Sequence, residues 1–212
     1  MIVTRQKPFE EILRYMEGEE SIYIIGCGEC STQCHTGGEE DLKDMKERLE
    51  GMEKEVIATT LIQAPCQELD TERVLRKNKE VVASSDGILV LACGAGVQAV
   101  SDAVDRPVHP GCNSMFLGNI RRHMHFYEKC SMCGECVLND YGGICPVTRC
   151  PKGLINGPCG GIINGRCEVG SERRCIWVVI YERMEKGIKV DGWRGIYPPK
   201  NYGVYVRPGK IE

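Results

Sequence analysis

No apolar run in this 212-residue sequence approaches the roughly 20 residues that a membrane-crossing helix needs. There is no excess of positive charge either. Basic side chains number 27 and acidic ones 30, for a net charge of −3. A phosphate-binding nucleic-acid domain is normally basic, so no nucleic-acid partner is expected. Charged residues near Met1 are followed by no apolar h-region, so no signal peptide is expected. Nor do the catalytic residue types form a recognisable set. No nucleophile pairs with a base and a supporting third group, and no two carboxylates share a pocket motif. The histidines (His35, His109, His123, His125) are scattered, with surface positions the default.

What is present in excess is cysteine: 14 residues. Disulfides fit this number poorly, because nothing points to secretion and cytosolic thiols stay reduced. A chain of this length can also bury a core without staples. Zinc and iron–sulfur remain, and spacing must choose between them.

The cysteines fall into two differently organised parts, expected as domains 1–118 and 119–212. In the first part strands and helices alternate. Segments 21–25, 56–62 and 86–92 are short, apolar and rich in branched side chains, and Pro107-Val108-His109 reads as a fourth strand. Helices are expected over 39–55, with Leu42, Met45, Leu49 and Met52 on one face, and over 71–83 and 96–104. Such alternation implies a parallel sheet covered by helices.

Every cysteine of this part follows a strand. Cys27, Cys30 and Cys34 follow the first, Cys66 the second, Cys93 the third and Cys112 the fourth. The carboxyl ends of parallel strands share one edge, where ligands bind. A lone free cysteine is usually a small buried hydrophobe; six at matching positions point to a metal site. Gly94-Ala95-Gly96-Val97-Gln98-Ala99 matches a dinucleotide-binding pattern. No acidic residue ends the next strand to hold a ribose, so these glycines are read as close packing of helix on strand, or as amides facing a cluster's sulfur.

Residues 119–175 change character. Asn119 to His125 form a basic bridge, with Arg121, Arg122, His123 and His125 suited to an interface. Cys130, Cys133, Cys136, Cys145, Cys150, Cys159, Cys167 and Cys175 follow, separated by dense glycine and proline. Little helix or strand fits, so bound metal is expected to hold this segment together. Three thiolates at Cys130-x2-Cys133-x2-Cys136 can take three corners of a cubane, with a distant Cys-Pro as the fourth. Cys145 and Cys150 are both Cys-Pro, and Cys159 is in reach. Zinc usually takes two separated pairs, so the triplet favours iron–sulfur; the remaining thiols suffice for a second site. A closing helix is expected over 172–187, then an extended aromatic tail over 193–206.

The runs Gly26-Cys27-Gly28-Glu29-Cys30-Ser31-Thr32-Gln33-Cys34-His35-Thr36-Gly37-Gly38-Glu39 and Ala92-Cys93-Gly94-Ala95-Gly96 resemble the MetV-type small subunit of methylenetetrahydrofolate reductase. So do Cys130 to Cys136, Gly143-Ile144-Cys145-Pro146-Val147-Thr148-Arg149-Cys150-Pro151-Lys152 and Asn156-Gly157-Pro158-Cys159-Gly160-Gly161. The resemblance implies a cytoplasmic electron-transfer subunit carrying [4Fe–4S] clusters, expected to be two. Its partner would be a MetF-type flavoprotein that alone holds flavin and does the folate chemistry, in the methyl branch of the Wood–Ljungdahl pathway. A ferredoxin or another electron-donating subunit would be a further partner. The resemblance also implies a Rossmann-like N-terminal half and a zinc- or cluster-binding C-terminal domain. The expected ligands are Cys27, Cys30, Cys34 and Cys93, with Cys66 as substitute. For the triplet they are Cys130, Cys133, Cys136 and Cys150, with Cys145 or Cys159 as substitute. The alternatives are a zinc-binding structural or regulatory subunit without electron transfer, and an enzyme holding nucleotide or flavin at Gly94 to Ala99.

Overall fold

The computed structural model describes residues 1–205 and 208–209; Val206, the end of the expected tail, lies outside them. The chain divides into two compact units. The first holds Met1–Phe116 with Arg122–Met124, the second Leu117–Arg121 with the chain from His125 onward.

The first unit begins with β1 (Ile2–Gln6), α1 (Phe9–Tyr15), β2 (Ser21–Cys27), α2 (Cys30–Gln33), α3 (Glu39–Glu50) and β3 (Glu55–Ile62). Then come α4 (Glu68–Lys77), α5 (Lys79–Ser84), β4 (Gly87–Leu91), α6 (Gly94–Asp102) and β5 (Val108–Pro110). Strand β6 (Cys112–Arg122) carries the chain into the second unit. A four-stranded parallel sheet in the order β3-β2-β4-β5 forms the centre of the first unit. The mixed α/β architecture with a parallel sheet is thus as the strand–helix alternation expects.

Alternation along each central strand builds two cores. Ile22 and Ile24 of β2, with Leu89 and Leu91 of β4, pack on one face with Ile12, Met16, Leu42, Met45 and Leu49. Tyr23, Ile25 and Cys27, with Ile88, Val90 and Ala92, pack on the other face with Leu75 and Val100. Helices α1 and α3 therefore cover one face, and α4 and α6 the other. Both faces are dry, which is why β2 and β4 read as unbroken apolar runs.

Several expectations shift. The helix over 71–83 is two helices, α4 and α5, meeting at Asn78, whose side-chain amide donates to the Val74 carbonyl at 2.9 Å and competes with continued helix. Helix α3 ends at Glu50, so Met52 lies beyond it, 53% exposed. Strand β1 and helix α1 have no counterpart in the expectations.

The second unit contains β7 (His125–Cys130), α7 (Pro146–Arg149), β8 (Arg166–Cys167), β9 (Gly170–Arg174) and α8 (Ile176–Glu185). The "basic bridge" is therefore the end of one strand and the start of another. Residues 172–174 belong to β9, and the closing helix starts at Ile176 with Cys175 as its N-cap. The unit also has an apolar core of its own. Trp177 is buried with Tyr141 in an edge-to-face pair at 5.6 Å, and Val137, Ile144, Ile176, Ile180 and Val190 complete the cluster. An apolar core thus helps to hold this segment, which the sequence assigns to metal alone. The tail folds back onto its own unit: Trp193 stacks near Trp177, and the Tyr197 hydroxyl donates to Asp140 at 2.9 Å.

Candidate metal centre

In the strand order β3-β2-β4 the chain reverses direction of travel across the sheet at β2. The loops after β2 and β4 flank this switch point, where an open parallel sheet makes its crevice. Cys27 ends β2, Cys30 opens α2, and Cys93 caps α6 just after β4.

Cys66 is brought to the same edge by two contacts. The Thr71 hydroxyl of α4 donates to the Pro65 carbonyl at 2.8 Å. On the other side Gly96 of α6 lets Pro65 approach, since a Cβ there would stand 3.2 Å from Pro65 Cβ and 3.1 Å from Ala92 Cβ. The second glycine of the Gly94–Ala99 pattern is thus a packing glycine, and the Gly94 amide is spent on Ser114 Oγ at 2.9 Å. Burial, and then the Cys93 thiol with Cys27 and Cys30 behind it, pushes the Cys66 pKa up. Cys93, Cys27 and Cys30 thus lie near enough to Cys66 to act on its charge.

Cys34 and Cys112 face elsewhere. The short helix α2 turns Cys34 toward β1, where its sulfur accepts the Thr4 N–H at 3.4 Å. Cys112 is buried in the α1/α3 core and donates to the Thr36 carbonyl at 3.3 Å. Burial pushes its pKa up to about 12, so it stays a neutral thiol. The intervening loop is pinned by Cys27 N–H to the Gly37 carbonyl (2.9 Å) and by Thr32 Oγ1 to the Cys27 carbonyl (2.7 Å).

Two histidines that the sequence leaves scattered are paired. His35 and His123 put their Nε2 atoms 2.7 Å apart on the exterior of this unit. His109 instead meets Glu19 at 2.8 Å.

In the second unit the eight cysteines separate. The triplet loop holds Cys130, Cys133 and Cys136, with Met132 and Gly134 at positive φ (52° and 79°). This winding directs the Met132 N–H to Cys130 Sγ at 3.3 Å, the kind of amide–sulfur bond that surrounds iron–sulfur ligands. Ser131 of the loop accepts from Thr148 Oγ1 at 3.2 Å, and Cys145 Sγ donates to Thr148 at 3.6 Å. Thus Cys145 is tied to the triplet.

Cys150, Cys159, Cys167 and Cys175 instead line a separate small cavity of about 20 Å³. Lys152 and Glu168 form an ion pair on its wall, and Cys159 Sγ lies 3.2 Å from Glu168. Trp177 also lines it, and its buried Nε1–H has no acceptor among the described residues. An orphaned buried donor is costly.

The tail supplies a residue that sequence patterns do not flag. Lys200 is buried, donates to the Glu135 carbonyl within the triplet loop, and lies 3.5 Å from the Glu135 carboxylate. The Asn201 N–H adds a bond to the same carboxylate at 3.0 Å.

The donor chemistry throughout is soft thiol with nearby amides, which suits zinc or iron–sulfur. Among the described residues, however, no three His, Cys, Asp or Glu side chains close into a ready metal-binding group. No helix among them is long and apolar enough to cross a membrane.

Comparison with known proteins adds one match. Residues 109–203 fit the family model described as "Methylene-tetrahydrofolate reductase C terminal". No curated protein and no solved structure matches the chain. Residues 109–203, a little under half of the chain, are thus similar to the C-terminal part of methylenetetrahydrofolate reductase.

Proposed function

We propose that this chain is the MetV-type, electron-transferring iron–sulfur subunit of a methylenetetrahydrofolate reductase, with a Rossmann-like first unit and a MetF-type flavoprotein as partner. The observation that carries the reading is the gathering of thiols at the sheet's switch point, in a chain whose other half matches the reductase family. Cys27, Cys30, Cys66 and Cys93 would hold one [4Fe–4S] cluster. Cys130, Cys133, Cys136 and Cys145 would hold another, with the Ser131–Thr148 bridge favouring Cys145 over Cys150 or Cys159. Such clusters supply one-electron transfer when bound. The chain's own residues fix the thiols: Thr71 and Gly96 set the Cys66 turn, and the Met132 amide bonds the Cys130 sulfur. In this reading the compartment is the cytoplasm, the pathway is the Wood–Ljungdahl methyl branch, and the electron donor is a ferredoxin or another subunit.

A second reading, a zinc-holding structural subunit, is favoured by the Cys150/Cys159/Cys167/Cys175 cavity. At about 20 Å³ it has room for one ion and not for a cubane.

Anaerobic purification with iron, sulfide, zinc and flavin analysis separates the two. About eight irons, with an EPR signal on reduction, support the electron-transfer reading. Zinc alone in a colourless protein overturns it.

A further inference from the structure

A second concave feature of the second unit lies outside the thiol sets. Between β7, α7 and β9 is a groove of about 550 Å³, within the size range of small-molecule sites. Its walls carry Arg121, Lys129, Arg149, Arg173 and Arg174. Arg174 is engaged by Glu182. The other four have no carboxylate partner among the described residues, although Glu128 and Glu172 also reach the groove.

This arrangement is unfavourable by itself. Burial, and then the neighbouring Arg149 and Arg121, push the Lys129 pKa down, and burial and Arg183 do the same to half-buried Arg149. Like charges held together in a partly desolvated cleft repel unless an anion lies between them. The chain as a whole is acidic, at −3, so this concentration is local. A single carboxylate could satisfy one guanidinium. Several cations within one small groove call for several negative oxygens within a short span, and guanidinium forks match phosphate geometry in two-point contacts.

We propose that this groove binds a small molecule carrying two or more phosphate groups. The proposal stands apart from the electron-transfer reading and needs no metal.

The test is isothermal titration calorimetry of the full reduced chain with pyrophosphate, and with citrate as a polycarboxylate of similar charge. Pyrophosphate should bind with a Kd below about 1 mM, and citrate about tenfold more weakly. An Arg121→Gln/Lys129→Gln double variant changes exposed side chains only, so its fold can be verified by circular dichroism. It should weaken pyrophosphate by about tenfold, with a smaller dependence of affinity on salt. A Lys186→Gln variant, outside the groove, should bind as the parent does. No heat with pyrophosphate, equal binding by the double variant, or citrate binding as tightly as pyrophosphate would each overturn the proposal.

Discussion

The ammonium of Lys200 sits on the backbone carbonyl of Glu135, beside Cys136 in the Cys130–Cys136 loop, 65 residues earlier in the chain. This contact, with the Glu135 carboxylate beside it, makes the tail a strap over the loop. Val204 completes it, since a Cβ on Gly134 would lie 3.0 Å from Val204 Cγ2. Lys200→Met should leave the Glu135 carbonyl and carboxylate without their cation and cost about 1–3 kcal/mol. In metal-free reduced protein, alkylation of Cys133 should speed up, as read by mass spectrometry. Unchanged alkylation would show that the strap does not control access.

The two N-terminal ligand sets differ at one position, which gives a clean contrast. Cys66→Ser should remove about four irons, since a cubane rarely survives loss of a thiolate. Cys34→Ser should keep the iron and lower thermal stability, because its sulfur is buried against Thr4 rather than at the sheet edge. Iron analysis of both variants decides the set; loss of iron in Cys34→Ser alone would replace Cys66 by Cys34.

Gly37 fixes the cysteine loop to the sheet. A Cβ there would collide with the Leu91 carbonyl oxygen, and would stand 2.9 Å from Ser31 Cβ. Backbone on one side and a buried helix on the other leave no room to yield. Gly37→Ala should destabilise the first unit by about 1–3 kcal/mol, read as a lower urea midpoint, while Gly18→Ala (open space, but φ +82°) should cost less.

Acid should act on the first unit through Asp86. Its carboxylate accepts the Ser21 N–H (2.8 Å), the Ser21 hydroxyl (2.8 Å) and the Glu20 N–H (3.0 Å), which hold its pKa below the usual carboxylate value. A depressed folded-state pKa means stabilisation that is present above the unfolded value and lost as pH falls through the folded one. Asp86→Asn should therefore flatten the acid limb of stability against pH. Thermal melts from neutral pH down to about pH 2 check this; an unchanged limb assigns acid sensitivity to other groups.

The parallel sheet was legible because β2 and β4 are buried on both faces, and burial writes itself into sequence as branched apolar runs. Strand β6 was not, because most of its residues are exposed and its polar and apolar side chains mark no buried face, leaving no pattern to detect. The edge position of Cys27, Cys30 and Cys93 followed from strand order alone. The separation of Cys34 from Cys66 did not. Sequence proximity groups Cys34 with Cys30, whereas one turn of helix sends it to β1 and a proline turn fixed by Thr71 brings in Cys66. The link between Cys145 and the triplet loop was equally hidden. Spacing sets how far a cysteine reaches, and the hydroxyl bridge from Ser131 through Thr148 to Cys145 has no sequence signature. Lys200 was invisible for the opposite reason: lysine is normally a solvated residue, and only the fold buries it.

The strap also imposes an order in time. A chain is made from its N-terminus, and its earlier parts can fold before later parts exist. Cys130, Cys133 and Cys136 leave the ribosome before Lys200, so the loop is first made without this contact. Arrival of the tail adds the Lys200 bond to Glu135, while Cys130 and Cys136 stay exposed.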